Sequence, residues 1–296
     1  MKITALRFLF CAFVAIALSV NSWAQTNPGD IKPVRIVGQV QKLLPNAQFV
    51  QLTKKDILHE NDTVVTGKDS SVVLVFMNGS SIQLGADTRL KIDEFKMEKL
   101  DQEILPSKLT KEPSVSKTAL NLAYGEIVGD VKKLNTAGGS TYSIKTPVGA
   151  AGIRGTVFRI VFRPTSDGKA FTFQLSTSEG LVVLEGVTKG TGTPVDVPAD
   201  KEIVVTGDIN LVTGKVTFSP PTASQPIAPE AVKAINTAVK EVIQEAQKET
   251  VFVPAATPVT TEQPTTTEKT PVKNQTPTPP PAVEVPAPTL TPGAGK

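Results

Sequence analysis

From Ile31 to about Phe218, short runs of valine, isoleucine and threonine are separated by turn dipeptides, and no long helical period interrupts them. Such a pattern leaves the chain little choice but to pair short strands and bury one face of each. Gln48–Leu52 alternates apolar and polar residues, as a half-buried strand does. Ser71–Phe76 is apolar on both faces and reads as a central strand covered on both sides. Asn78-Gly79 follows it and leads into Ser80–Leu84, the spacing of a hairpin, and the pair suits the positive φ angles of a type I′ turn. Thr66-Gly67, Ala137-Gly138-Gly139, Asp167-Gly168, Glu179-Gly180 and Thr213-Gly214 punctuate further strands. The expected body is all-β, a sandwich, barrel or roll.

The flanks differ from the body. Lys2 and Arg7 precede an apolar run from Phe8 to Val20, and Ser22-Trp23-Ala24 places small residues where a signal peptidase cuts. The run is shorter than the roughly 18–20 apolar residues of a membrane span, so residues 1–24 read as a secretory signal peptide. Cleavage would remove the single Cys, Cys11, and the single Trp, Trp23, and would lower the formal charge from +3 by the two cations lost. No integral membrane span is then expected in the mature chain. After the body, Val232, Ile235, Val239, Val242 and Ala246 recur at steps of three and four, which predicts an amphipathic helix over 227–249 with Pro229 in its first turn. Residues 251–296 are mainly proline, threonine, alanine and valine, a composition that predicts a disordered or polyproline-like tail. Fully extended, such a tail reaches on the order of 140 Å. Lys96–Lys117, charged and carrying Pro106 and Pro113, reads as a long loop within the body.

Little in the composition suits catalysis. One Cys and one His cannot furnish the usual zinc ligand set. His59 stands in a polar turn, Asp56–Asp62, without the spacing of a nucleophile and an orienting partner, so an exposed turn histidine is expected. Aspartates sit beside Gly, Asn or Thr, as turn-formers do, and no run of alternating oxygen ligands builds a calcium loop. The glycine-rich stretches lie between strands and open no phosphate-binding helix. A formal charge of +3 on 296 residues implies no nucleic-acid surface. No catalytic residue, cofactor or metal ligand is expected.

The most distinctive stretch runs from Tyr142 to Ile160. Thr146 and Pro147 end one strand, and the small residues Gly149–Gly152 would let the backbone pass close to another element. Arg154 lies between Gly152 and Gly155, with Thr156 leading into the next strand. An arginine here can brace several backbone carbonyls with its five donors, the role expected for it, or contact a ligand. Thr146, Pro147, Gly152, Arg154, Gly155 and Thr156 are therefore the candidate structural or contact motif.

An ordered set of segments resembles the FecR domain, a β-rich periplasmic module named for the ferric-citrate sensor regulator. The set comprises Gly38-Gln39-Val40, Asn61–Gly67, Val72–Ser80, Leu84–Leu90, Tyr124–Ile127 and Thr146 through Phe158. Ser178–Leu184 and Pro198-Ala199-Asp200 resemble its later strands, and the likeness covers roughly Val34–Thr206. It implies a single FecR-like β-sandwich or β-roll over 31–218. It also implies a non-enzymatic role in signal relay or binding in the bacterial envelope, with an envelope protein or cell-wall polymer as partner. The sensor regulators carry a sigma-factor-binding segment and a membrane span before this domain, where this chain has a cleavable signal, so direct control of a sigma factor is not expected. The protein is expected to be exported, periplasmic or at the cell surface. The alternative is a structural surface or cell-wall protein that uses the Pro/Thr-rich tail as a stalk.

Overall fold

The computed structural model describes residues 26–44, 46–100, 102–186, 193–209, 216–219, 221–246, 248 and 251–253. All of them belong to one compact unit, Met1–Ala255. The expected signal peptide, residues 1–24, and the expected tail beyond Val253 lie outside the described residues.

Among the described residues the chain follows its alternation into eighteen strands, as the all-β reading predicts. They are β1 (Thr26–Pro28), β2 (Ile31–Val37), β3 (Val40–Leu43), β4 (Phe49–Gln51), β5 (Thr63–Thr66), β6 (Ser71–Phe76), β7 (Ser81–Leu84), β8 (Thr88–Glu98) and β9 (Ser116–Asp130). There follow β10 (Thr141–Lys145), β11 (Ala150–Ile153), β12 (Val157–Pro164), β13 (Ala170–Glu179), β14 (Leu181–Glu185), β15 (Val195–Pro198), β16 (Lys201–Ile209), β17 (Val216–Phe218) and β18 (Gln225–Pro226). Strands thus extend past both bounds of the predicted 31–218 body. One helix, α1 (Pro229–Ala246), succeeds them, shorter at both ends than the predicted 227–249.

Two layers form because one strand serves both. The first half of β9 pairs with β8 and, in parallel, with β10. Its second half, from Gly125, pairs with β7 and β12. The first sheet therefore runs β4-β3-β5-β8-β9-β10-β11-β14-β15, with β1 beside the end of β8. The second runs β2-β6-β7-β9-β12-β13-β16, with β17 and β18 on β16. Gly125 is the corner: its φ is +113°, and a Cβ there would fall on the Thr88 side chain. Thr88 Oγ1 in turn accepts the Glu126 N–H at 2.9 Å.

The core lies between the layers. Leu74, Phe76, Ile82, Leu84, Ile127, Phe158, Ile160, Phe173 and Leu175 of the second sheet meet Val64, Leu90, Ile92, Leu120, Leu122, Ile144, Val182 and Leu184 of the first. Phe76 packs edge-on against Phe95, centroids 5.1 Å apart. Strand β6 is buried on both faces, as its sequence predicts: its other face, Val73 and Val75, packs with Val242 of α1, Ile104 and Phe252.

Several local expectations change. The β6–β7 hairpin forms, but its turn is not type I′. Gly79 N–H donates to Phe76 O, and only Gly79 takes a positive φ, +88°; Asn78 stays right-handed. This is a type I turn followed by a left-handed glycine. Asn78 is buried, with its Oδ1 accepting the Ser80 N–H and its Nδ2 donating to Ser116 Oγ, and those bonds hold it there. β4 is an exposed edge strand, and only Leu52 of the expected half-buried segment is inside. The predicted 96–117 loop is narrower than expected, since β8 continues to Glu98 and β9 begins at Ser116. Within it, Pro106–Lys108 forms a 3₁₀ turn, and the buried Glu112 accepts bonds from Ser116 Oγ and Asn135 N–H.

The buried stripe of α1 is Ala231, Ile235, Ala238 and Val242, while Val232 of the predicted stripe remains 39% exposed. Ile235 and Ala238 cover Val128 on the outer face of the second sheet. Residues 251–253, assigned to the tail by sequence, belong to the fold. Phe252 is fully buried, and Lys32 Nζ donates to Val251 O at 2.6 Å while lying 4.7 Å from the Phe252 ring centroid. No helix among the described residues is long and apolar enough to cross a membrane.

Candidate functional site

The Thr146–Thr156 motif forms the β10–β11 hairpin and the link to β12. Thr146 closes the turn: its N–H and its Oγ1 both donate to Gly149 O, at 2.8 and 2.9 Å, and its Oγ1 accepts from the Val148 and Gly149 amides. Pro147 is exposed at the tip, while Val148 turns into the core. The close backbone approach falls on Gly149, where a Cβ would meet Glu185 O, and on Gly155, where it would lie 2.9 Å from Lys133 Cα. Gly152, expected to serve that purpose, is an ordinary strand position with 3.6 Å to its nearest neighbour, Val183 O. Thr156 is buried, and its carbonyl accepts the Val131 N–H at 3.0 Å. Arg154 departs from its expected role. It is exposed and makes no hydrogen bond or ion pair among the described residues, so it braces nothing.

A second region was not singled out by sequence. The outer face of the second sheet carries a polar network across four strands. Arg159 of β12 stands opposite Val128 and Ser176, and reaches diagonally to Glu126 and Gln174. Its Nε donates to Glu126 Oε1 at 2.7 Å and its Nη1 to Gln174 Oε1 at 2.8 Å. Gln174 Nε2 and Ser176 Oγ then donate to Glu202 Oε2, at 2.8 and 3.0 Å. Glu202 is only 2% exposed, and with two firm donors on one oxygen its burial is compensated.

Beside this network, α1 and the sheet enclose a groove of about 400 Å³. Gln83, Glu126 and Val128 form its floor, and Lys233, Thr237 and Glu241 its wall. Glu241 Oε2 accepts from Arg35 Nη1 at 2.8 Å and from Gln83 Nε2 at 3.1 Å, which ties the helix to β2 and β7. Gln83 Oε1 is a buried acceptor without a partner among the described residues, and such an acceptor is open to a donor from water or a ligand. Alternation in the sequence placed Glu126, Arg159 and Gln174 on the outward face of their strands. Nothing in it announced which of them would meet.

His59 is a turn residue, as expected. Its Nε2 lies 3.0 Å from Asp30 Oδ1, its side chain is 47% exposed, and its amide donates to Asp62 Oδ2. Asn61, Asp69, Asp87 and Asp200 take positive φ, the turn-forming use read from the sequence. Among the described residues no group of three or more His, Cys, Asp or Glu side chains could hold a metal ion.

The family described as FecR protein matches residues 62–187, a narrower span than the resemblance over Val34–Thr206. It takes in β5 through β14 and leaves β1–β4, the later strands and α1 outside. No curated protein sequence matches the chain. Two crystal structures, each provisionally described as an anti-sigma factor from Parabacteroides distasonis ATCC 8503, are similar at 11% identity. One has a TM-score of 0.37 over 58% of this chain, which spans 62% of that one, a little under two thirds of its length. The other has a TM-score of 0.38 over 62% of this chain and 74% of that one.

Proposed function

We propose, from the match of the FecR family to residues 62–187, that the protein is a non-catalytic binding or signal-relay module of the bacterial envelope. It acts after export, in the periplasm or at the surface, by meeting a protein or polymer partner through its β body. The observation that carries this reading is the groove under α1. Two ion pairs frame it, Arg35 with Glu241 and Arg159 with Glu126, in geometry fixed by three sheet strands and a helix, while Lys233 and Glu230 of its wall make no ion pair among the described residues. A rigid polar surface with one buried unfilled acceptor, Gln83 Oε1, suits recognition of a partner that brings a hydrogen-bond donor.

Site-specific photo-crosslinkers at Lys233 and Thr237 test it in cells of the source type. Discrete envelope adducts are expected at these two positions and not at exposed Lys54. Adducts no stronger than those at Lys54 would sink the groove as the contact surface.

One observation favours the stalk reading as a second possibility. Phe252 is buried against the outer face of β6, so the chain up to Val253 is fixed to the body. Deleting residues 254–296 separates the two. Loss of envelope retention supports the stalk; unchanged retention with crosslinking intact supports the relay module.

A further inference from the structure

Two lysines meet where the crossover between β9 and β10 passes the loop that precedes β9, and the backbone at Arg154 runs beside them. Lys111 and Lys133 face each other across an isolated parallel bridge, and the Glu112 N–H donates to Lys133 O at 3.1 Å. Residues directly opposed in a bridge share a face, so the two ammonium stems start side by side, an arrangement that costs stability between like charges. Gly155 packs onto the Lys133 backbone closely enough that a Cβ would sit 2.9 Å from Lys133 Cα. That contact brings Arg154, one residue earlier, to the same corner. All three side chains are exposed, and none has an ion-pair partner among the described residues.

The neighbouring carboxylates do not relieve them. Glu112 alternates to the buried side, where its two oxygens accept from Ser116 Oγ and Asn135 N–H. Asp130 is held by Lys132 at 2.8 Å. Glu179, beside the Gly180 that packs on Gly155, is exposed and makes no ion pair with the three. Elsewhere on the body, Lys42, Lys91, Lys96, Arg35 and Arg159 each meet a carboxylate. A cavity of about 500 Å³ adjoins the corner, lined by both lysines with Ser114, Asn135 and Glu112, whose two oxygens are taken up by the Ser116 hydroxyl and the Asn135 amide.

We infer that the Lys111–Lys133–Arg154 corner binds a phosphate group carried by a ligand. A carboxylate offers one negative charge and is served by a single arginine fork. A phosphate monoester carries about −1.5 to −2 charge and three acceptor oxygens, which match two ammonium point charges lining one concavity, with the Arg154 charge on the backbone segment packed beside it. This site lies apart from the groove under α1 and does not depend on the groove's role.

The test is a titration of the full chain with inorganic pyrophosphate, followed by the amide NMR shifts of Lys111, Lys133, Arg154 and Gly155. Saturable shifts at these amides are expected, weakened at least about tenfold in the K111Q/K133Q protein and by added salt. The K54Q/K55Q protein, altered at exposed lysines elsewhere, should bind as the parent does. A parallel arm uses vesicles containing phosphatidic acid, a lipid phosphate monoester, against phosphatidylcholine. Pyrophosphate binding with selective phosphatidic acid binding, both lost in K111Q/K133Q, supports the site with a lipid headgroup as source. Pyrophosphate binding without vesicle binding supports it with a soluble or polymer phosphate. No saturable pyrophosphate shift, an equal loss in K54Q/K55Q, or vesicle binding without pyrophosphate binding overturns the inference.

Discussion

Phe252 and Ile104 exchange both of their backbone hydrogen bonds, each at 3.0 Å, although one precedes β9 and the other follows the helix. With Val242, they cover the outward faces of Val73 and Val75. A three-residue segment thus fastens α1 and the loop before β9 to the second sheet.

That fastening should be separable from the sandwich. Phe252→Ala removes a fully buried aromatic ring, a loss of about 3–5 kcal/mol where the surroundings cannot collapse. Hydrogen exchange should show the Ile104 amide and the α1 amides near Val242 losing protection, while Ile127 and Ile160 in the two-layer core keep theirs. Uniform loss of protection across all these amides would show that the clasp is part of one cooperative unit.

Gly125→Ala should be among the most damaging single changes. The residue sits at φ +113°, and the new methyl would fall on Thr88, whose hydroxyl receives the Glu126 amide. Because β9 belongs to both sheets through this corner, relief of the clash displaces one layer from the other. A loss of about 3 kcal/mol or more is expected in urea unfolding. A loss below about 1 kcal/mol would mean that the corner can form without a glycine.

These two positions show where sequence reading succeeds and stops. β6 was legible because an unbroken apolar run requires cover on both faces, which α1 and Phe252 provide. The last residues of β8 and the first of β9 were hidden because Lys96, Glu98 and Lys117 occupy outward positions, and charge there resembles a loop. Asn78-Gly79 announced a hairpin, but Asn78 bonds Ser116, and that distant partner selects the turn type. The glycine neighbours of Arg154 suggest a brace, yet its side chain is exposed. Exposure depends on where β9's crossover lands, and local sequence does not encode that. The Glu126–Arg159–Gln174–Glu202 network joins four strands through register alone, so its members looked like unrelated polar residues.

Tyr142 presents a sharper case. Its hydroxyl is buried without a hydrogen-bond partner among the described residues, and burial pushes the phenol far above its usual range. Tyr142→Phe removes an unpaired polar atom and keeps the ring that packs 6.3 Å from Phe76. Replacement should be neutral or stabilising by up to about 1 kcal/mol, a Tm gain of roughly 0–4 °C. A Tm drop of about 4 °C or more would reveal a donor or acceptor that the hydroxyl depends on.

Acid stability should depend on two turn carboxylates. Thr53 donates both its amide, at 2.6 Å, and its hydroxyl, at 2.8 Å, to Asp56 Oδ2. Those bonds, the hydroxyl's first, hold the Asp56 carboxyl below its usual range, and Thr165 followed by the Lys169 amide does the same for Asp167. A carboxyl with a lowered folded pKa binds its proton more weakly folded than unfolded. Its contribution is therefore complete above about pH 3.9 and is lost as pH falls through the folded value. The D56N/D167N protein should show a shallower fall of Tm below about pH 4 than the parent, with a constant offset from pH 5 to 8. Thermal melts at half-unit pH steps measure it, and an equal or steeper acid limb in the double variant would rule out the two turns as its source.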